Sequence, residues 1–314
     1  MAKGIVIKST GSSYWVRTPA GDLECKIKGN LRIKGIRSTS PVVVGDNVTV
    51  VGEDGNWLIS GIDDRRNYIV RKPANLSKQL HIIAANIDLA LLVVTVNHPE
   101  TNLVFIDRFL ATTEAYRIPA CLVFNKTDLY NEEETAYLDG LFHLYSTIGY
   151  PCHRISVLKD EGIGPLVASI QGKVCLLSGN SGVGKSSILN VLLPGADIKT
   201  GEVSEKLGRG RHTTRHVELY ALGGDTYIAD TPGFASLDVM MTNAIEKERL
   251  QYDFIEFAPY LGKCRFHDCA HLKEPDCAVR DAVRAGEIAE SRYRSYIRLY
   301  ELSAQRKFWE YQDE

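Results

Sequence analysis

The sequence predicts a multidomain α/β protein in three parts: an all-β barrel over residues 1–72, a parallel-sheet domain over 73–238, and a helical unit with a Cys/His cluster over 239–314. Three patterns carry that reading. Short strand-like runs between turn residues fill the first part, and apolar runs alternating with helical periodicity fill the second. Thiol and imidazole side chains bunch together in the third.

In the first part the runs are Ile5-Val6-Ile7, Tyr14-Trp15-Val16, Glu24-Cys25-Lys26-Ile27, Val42-Val43-Val44, Asn47 to Val51 and Trp57-Leu58-Ile59, with breaks at Pro19-Ala20-Gly21-Asp22 and Gly45-Asp46. A small barrel built this way suggests an OB-fold. Residues 1–72 carry 12 Lys and Arg against 7 Asp and Glu, a local charge of +5 in a chain whose net charge is -2. Such a barrel either holds nucleic acid on its open face or merely packs on its neighbour. For the first role Arg32, Lys34, Arg37, Arg65, Arg66, Arg71 and Lys72 are the candidate phosphate contacts.

In the second part Asn86 to Val96 reads as a buried strand, and Asn102 to Tyr116 and Glu132 to Ile148 as amphipathic helices, which predicts a parallel sheet covered on both faces. Lys173 to Leu177 reads as a strand, Gly179-Asn180-Ser181-Gly182-Val183-Gly184-Lys185-Ser186 fits G-x-x-x-x-G-K-[ST], and Ser186-Ser187 opens a helix. Strand, glycine loop and helix together define a phosphate loop. Its backbone N–H groups and helix N-terminus attract phosphate, Lys185 reaches the β and γ oxygens, and Ser186 offers its hydroxyl to Mg²⁺.

Asn125-Lys126-Thr127-Asp128 follows the apolar run Ala120 to Phe124, at the carboxyl end of a strand where open α/β sheets bind ligands. A carboxylate there accepts from guanine N1–H and the 2-amino group together, a donor pair that adenine lacks. Asp128 therefore selects GTP, Lys126 lies along the base, and Asn125 ties this loop to the phosphate loop. Ser156-Val157 sits where its backbone can touch guanine from the other side, or is a plain strand end. Downstream, Asp230-Thr231-Pro232-Gly233 ends the strand Thr226 to Ala229, so that Asp230 can hold the Mg²⁺ water shell and Gly233 N–H can sense the γ-phosphate. Between these motifs, the basic stretch Gly208-Arg209-Gly210-Arg211-His212-Thr213-Thr214-Arg215 has the make-up of a switch segment, in which either Thr213 or Thr214 completes the Mg²⁺ shell. The base motif precedes the phosphate loop, the reverse of the usual order. The second domain is thus expected to be a circularly permuted P-loop GTPase.

The third part holds Cys264, Cys269, His271 and Cys277 as C-x4-C-x-H-x5-C, a tetrahedral Zn²⁺ set with every position taken by protein and hence structural. His267 lies inside the same set and competes with His271 as the nitrogen ligand. Cys121, Cys152 and Cys175 sit in or beside strand patterns and Cys25 is isolated, so none of these four needs a functional reading. Asp281 to Trp309 reads as one long helix whose Arg284, Arg292, Arg294, Arg298, Arg306 and Lys307 give it a basic surface. With 44% apolar and 24% charged residues, and no long apolar run or charged-then-apolar leader, the expected compartment is the cytoplasm, with no membrane partner.

Together these motifs, in this order and over nearly the whole chain, resemble the ribosome small-subunit-dependent GTPase A family of bacteria (RsgA, also called YjeQ or YloQ). The resemblance implies an assembly factor, expected as a monomer, that binds the maturing 30S subunit and its 16S rRNA. The subunit stimulates its hydrolysis of GTP to GDP, and it leaves afterwards. Two other readings stand beside it: an RNA-binding adaptor with GTP as a structural ligand, and a translation-type GTPase acting on mature ribosomes. Phe234 stands after Asp-Thr-Pro-Gly, where many related GTPases carry the glutamine that orients the attacking water. The nearest polar replacement is His212, which either orients that water or touches RNA, the ribosome then supplying the group.

Overall fold

The computed structural model describes residues 1–28, 41–53, 56–71, 81–193, 218–230 and 247–310. Strands β1 (Ala2–Ser9), β2 (Tyr14–Thr18), β3 (Gly21–Ile27), β4 (Asn47–Glu53) and β5 (Asn56–Ile62) run in the order β1-β2-β3-β5-β4. β1 pairs back onto β4 from Ala2↔Val50 to Ile5↔Asn47 and closes the barrel, while β3 and β5 are parallel, as an OB-fold requires. Alternate side chains, Val6, Tyr14, Val16, Cys25, Val48, Val50 and Ile59, fill its interior.

The expected strand at Val42-Val43-Val44 is not formed. Val43 N–H donates to Asp46 Oδ2 (2.8 Å) and its carbonyl accepts from Asp46 N, which closes a turn; only Val44 bridges to another chain segment, at Ala84. The three valines are buried, so burial rather than pairing accounts for the apolar run. The expected continuous strand from Asn86 to Val96 is also shorter. Asn86 adopts φ 55, and its side chain accepts from Arg66 N (2.9 Å) and donates to Gly45 O (3.0 Å). That side-chain bonding ends pairing there. Within the expected span a single strand forms, β8 (Leu89–Val94); β7 (His81–Ala85) ends just before it and pairs antiparallel with β6 (Tyr68–Arg71).

Strands β9 (Ala120–Phe124), β10 (Cys152–Arg154), β11 (Val174–Ser178) and β13 (Thr226–Asp230) join β8 in a parallel sheet ordered β10-β9-β8-β11-β13, and β12 (Glu218–Gly223) adds an antiparallel strand. Helices α1 (Leu103–Ala115) and α2 (Glu132–Ile148) cover one face, packing Ile106, Phe109, Leu138 and Tyr145 against Leu92, Leu122 and Phe124. α3 (Ile163–Ile170) and α4 (Lys185–Leu192) cover the other through Leu166, Ile170, Ile188 and Leu189. Asn102 caps α1, and Asn131 with Glu134 forms a capping box on α2, so both helices begin where their caps dictate. Burial pushes the Cys121 and Cys175 thiols up to about 12, in keeping with a core role. β12 reaches the barrel at Lys8↔Glu218, making barrel and parallel sheet one hydrogen-bonded surface.

The expected single helix from Asp281 to Trp309 is two, α5 (Ala278–Arg284) and α6 (Glu290–Glu310), because Gly286 at φ 76 stops the first. Nor is Arg292 part of a basic surface. Its side chain is wholly buried, bonded to Glu256 by Nε and Nη2 (2.6 and 3.0 Å) and to Asp107 by Nη1 (2.6 Å). Tyr145 Oη donates to the same Asp107 oxygen (2.8 Å), so the C-terminal unit is fastened onto α1 and α2. Among the described residues no helix is long and apolar enough to cross a membrane.

Candidate nucleotide site and metal centre

The phosphate loop joins β11 to α4. Gly179 stands at φ 143 and Gly184 at φ 101, backbone conformations that L side chains avoid. A Cβ on Gly179 would collide with the Val93 carbonyl and one on Gly184 with the Asn125 amide. The second of these glycines is what lets the base loop lie directly against the phosphate loop. Lys185 Nζ donates to the carbonyls of Gly179 and Asn180 (both 2.6 Å), curling over the loop. Ser186 and Ser187 occupy the first turn of α4, where helix N–H groups have no intrahelical acceptor.

On the base side, Asn125 is buried and its Nδ2 donates to Val183 O (2.8 Å). Lys126 Nζ donates to Gly182 O (2.6 Å) and also to His98 O. These bonds fix the two loops in one frame. Thr127 Oγ1 donates to Ile155 O (3.2 Å), and Asp128 Oδ1 accepts from Ser156 Oγ, which in turn accepts from Lys159 N (3.1 Å). A cavity of about 240 Å³ opens here, lined by Asn125, Lys126, Asp128, Leu129, Val157, Leu158, Gly184 and Ser187. Leu158, 80% exposed, joins Leu129 and Val157 in giving this cavity apolar surface suited to a flat ring.

Asp230 ends β13 opposite Glu218. His212, Thr213, Thr214, Gly233 and Phe234 lie outside the described residues, as do Arg32, Lys34, Arg37 and Lys72. Of the other candidate RNA contacts, Arg65 is spoken for. Its side chain is 6% exposed and grips the buried Asp46 through Nε and Nη2, both 2.7 Å, which removes it as a phosphate ligand. Arg66 pairs with Asp88 (2.6 Å) but remains largely exposed.

In the C-terminal unit the ligand atoms of Cys264, Cys269, His271 and Cys277 all lie within 4.8 Å of one another. Cys264 Sγ is 3.5 Å from His271 Nδ1 and 3.9 Å from Cys277 Sγ, and His271 Nδ1 is 3.4 Å from Cys277 Sγ. A tetrahedral ion bonded at about 2.3 Å to sulfur and about 2.0 Å to nitrogen needs edges of roughly 3.5–3.8 Å; the three edges among Cys264, His271 and Cys277 lie close to that, with Cys269 Sγ within 4.8 Å of each. His271 Nε2 is 2.8 Å from Gln251 Oε1, a partner that orients the ring with Nδ1 toward the sulfurs. His267 is exposed and outside this cluster, and His271 is the histidine that lies beside the thiols. Burial, reinforced by the neighbouring Cys277 and Cys264 thiols, pushes the Cys269 thiol up to about 12, and burial pushes the His271 imidazole down against the opposing charge of Glu274.

A family model described as RsgA GTPase matches residues 62–240, and one for the RsgA N-terminal domain matches residues 3–56. A protein of Phocaeicola vulgatus named small ribosomal subunit biogenesis GTPase RsgA is 51% identical over 308 residues, covering 98% of each chain. This chain belongs to the RsgA GTPase family. A Bacteroides fragilis protein of the same name is 50% identical over the same share of both chains. Among solved structures, YjeQ from Thermotoga maritima superposes with a TM-score of 0.79 at 34% identity, covering 96% of this chain and 98% of that one. YloQ, described as a circularly permuted GTPase, gives 0.75 at 29% identity over 98% and 96%. As an RsgA GTPase the chain hydrolyses GTP.

Sequence reasoning missed three contributors to this RsgA site: the Ser156 hydroxyl on Asp128, the apolar Leu129 and Leu158 at the cavity, and Tyr130 behind the base loop. The side-chain direction of Ser156 needed coordinates. Leu129 and Leu158 were visible only as loop residues.

Proposed function

We propose that this GTPase acts in biogenesis of the small ribosomal subunit, binding the 30S particle through its 16S rRNA, hydrolysing GTP to GDP there and then leaving. The observation that carries the reading is the fastening of the base loop to the phosphate loop by Asn125 on Val183 O, in a chain whose full-length relatives carry that role in their names. Asp128 reads the guanine edge, with Asn125, Lys126, Thr127, Ser156 and Val157 shaping the slot. Gly179 to Ser187 cradle the phosphates, and Lys185 exchanges its loop carbonyls for β and γ oxygens. Ser186 and Asp230 are the residues that would hold Mg²⁺, which when bound offsets the charge on the phosphates; Thr213 or Thr214 would complete the set, and Gly233 N–H would face the γ-phosphate. The protein works as a cytoplasmic monomer of three parts, 1–72, 73–238 and 239–314. GTP hydrolysis by the full chain should rise severalfold or more when 30S subunits are added. No stimulation would favour an RNA-binding adaptor, and equal stimulation by immature and mature subunits a translation-type GTPase.

The ion at Cys264, Cys269, His271 and Cys277 is zinc in this reading, because three thiolates and one imidazole suit it and a fully protein-bound tetrahedron is structural. Native mass spectrometry should find one Zn²⁺ per chain. Chelation should raise hydrogen exchange across residues 247–303 and leave nucleotide affinity unchanged. A folded, metal-free wild-type protein would refute the assignment.

A further inference from the structure

β8 and β9 pair in parallel with Val94 opposite Phe124, and Asn125 N–H donates to Val94 O (2.9 Å) as the ladder demands. The next rung of a parallel ladder would join Val96 N–H to Asn125 C=O. It does not form. The Tyr130 hydroxyl stands in its place, accepting from Val96 N (2.9 Å) and donating to Asn125 O (2.6 Å). Both strand ends lead into the nucleotide site. β8 runs on to His98, whose carbonyl takes Lys126 Nζ, and β9 runs into Asn125 to Asp128.

We propose that Tyr130 is a positioning residue for base recognition: its hydroxyl is an inserted rung that spreads β8 from β9 and sets how far the Asn125–Asp128 loop stands from the phosphate loop. The proposal rests on the reading of Asp128 as the guanine-edge acceptor. Three features support it. The hydroxyl satisfies a backbone donor and a backbone acceptor at once, a geometry available to no aliphatic or phenyl side chain. The ring packs against the main core of the sheet and is half-buried, so the hydroxyl is held at a fixed height. Burial also pushes the phenol above its usual range, which keeps the proton it donates to Asn125 in place at neutral pH. Asn125 is then held from two sides, by Tyr130 at its backbone carbonyl and by Val183 at its side chain. Tyr130 does not line the cavity and acts only through this loop.

Tyr130→Phe keeps the ring and removes the rung. Calorimetry on the full-length protein would measure GDP and inosine diphosphate, which lacks the 2-amino group that Asp128 reads. Loss of a doubly engaged hydroxyl should weaken GDP about tenfold and inosine diphosphate less, narrowing the preference between them. The Val96 amide should exchange faster, while the melting temperature of the nucleotide-free protein stays within a few degrees of wild type. Unchanged GDP affinity, or equal weakening of both nucleotides, would overturn the proposal, since a merely structural tyrosine would not move the ratio. Asp128→Asn in parallel should shift preference from guanosine to xanthosine diphosphate. If it does not, the guanine reading itself is wrong and the proposal goes with it; if it does and Tyr130→Phe leaves the ratio untouched, only the positioning role falls.

Discussion

Arg292→Ala should destabilise the protein by about 3–5 kcal/mol, the cost of breaking a buried ion pair by removing one partner. The guanidinium is fully buried, bonded to Glu256 and Asp107 and 4.5 Å from the Phe254 ring by its central carbon. Without it two acids, one 1% and one 10% exposed, face each other with no cation between them. Chemical denaturation at neutral pH checks the size. A triple variant, Asp107→Asn, Glu256→Gln, Arg292→Met, should recover most of the loss, because it removes the charges together. A loss below 1 kcal/mol in the single variant would mean that the network contributes little.

His212→Ala should bind GTP nearly normally and lose on the order of 10²-fold of the 30S-stimulated rate, the usual worth of a positioned group that orients or deprotonates water. The expectation rests on chemistry, since His212 and Phe234 lie outside the described residues. Phenylalanine after Asp230-Thr231-Pro232-Gly233 has no hydrogen-bonding group for the attacking water, and His212, in the switch-like stretch 208–215, carries an imidazole that has one. Phe234→Ala should cost less, an apolar side chain being able only to shield the site. Single-turnover hydrolysis with saturating subunits, alongside nucleotide affinity, separates the chemical step from binding. Full stimulated turnover in His212→Ala would assign the water to another group, one on the ribosome included.

What could be read from the sequence follows a physical line. Phosphate loop, base motif and metal cluster were legible because each packs its chemistry into adjacent residues, and helices α1 and α2 because their asparagine caps announce them. The apolar run at Val42-Val43-Val44 misled, because burial and strand pairing leave the same composition. Asn86 delayed the start of the strand expected from it, through side-chain bonds to Arg66 and Gly45, partners far away in sequence. Gly286 was a visible stop signal inside the expected long helix. The arginines were the hardest to place, since Arg65 and Arg292 look like any surface charge until their buried carboxylates, Asp46 and Asp107 with Glu256, are brought beside them.

The strand order also dictates an order of assembly during synthesis. All five barrel strands lie within residues 2–62, so the barrel can close as soon as that stretch leaves the ribosome. β8 then waits. Its central partner β11 begins at Val174, and the roughly 80 residues between them take on the order of 4–16 s to synthesise. Through that interval the half of the domain that reads the base exists with one apolar strand edge unpaired, a site for chaperone capture or mispairing. The union of barrel and sheet comes later still, because Lys8 and Glu218 are 210 positions apart. In the nascent chain the barrel is therefore tied first to residues 84–86, through Val44 and Gly45, and gains its strand pairing with the sheet after the phosphate-binding half has been made.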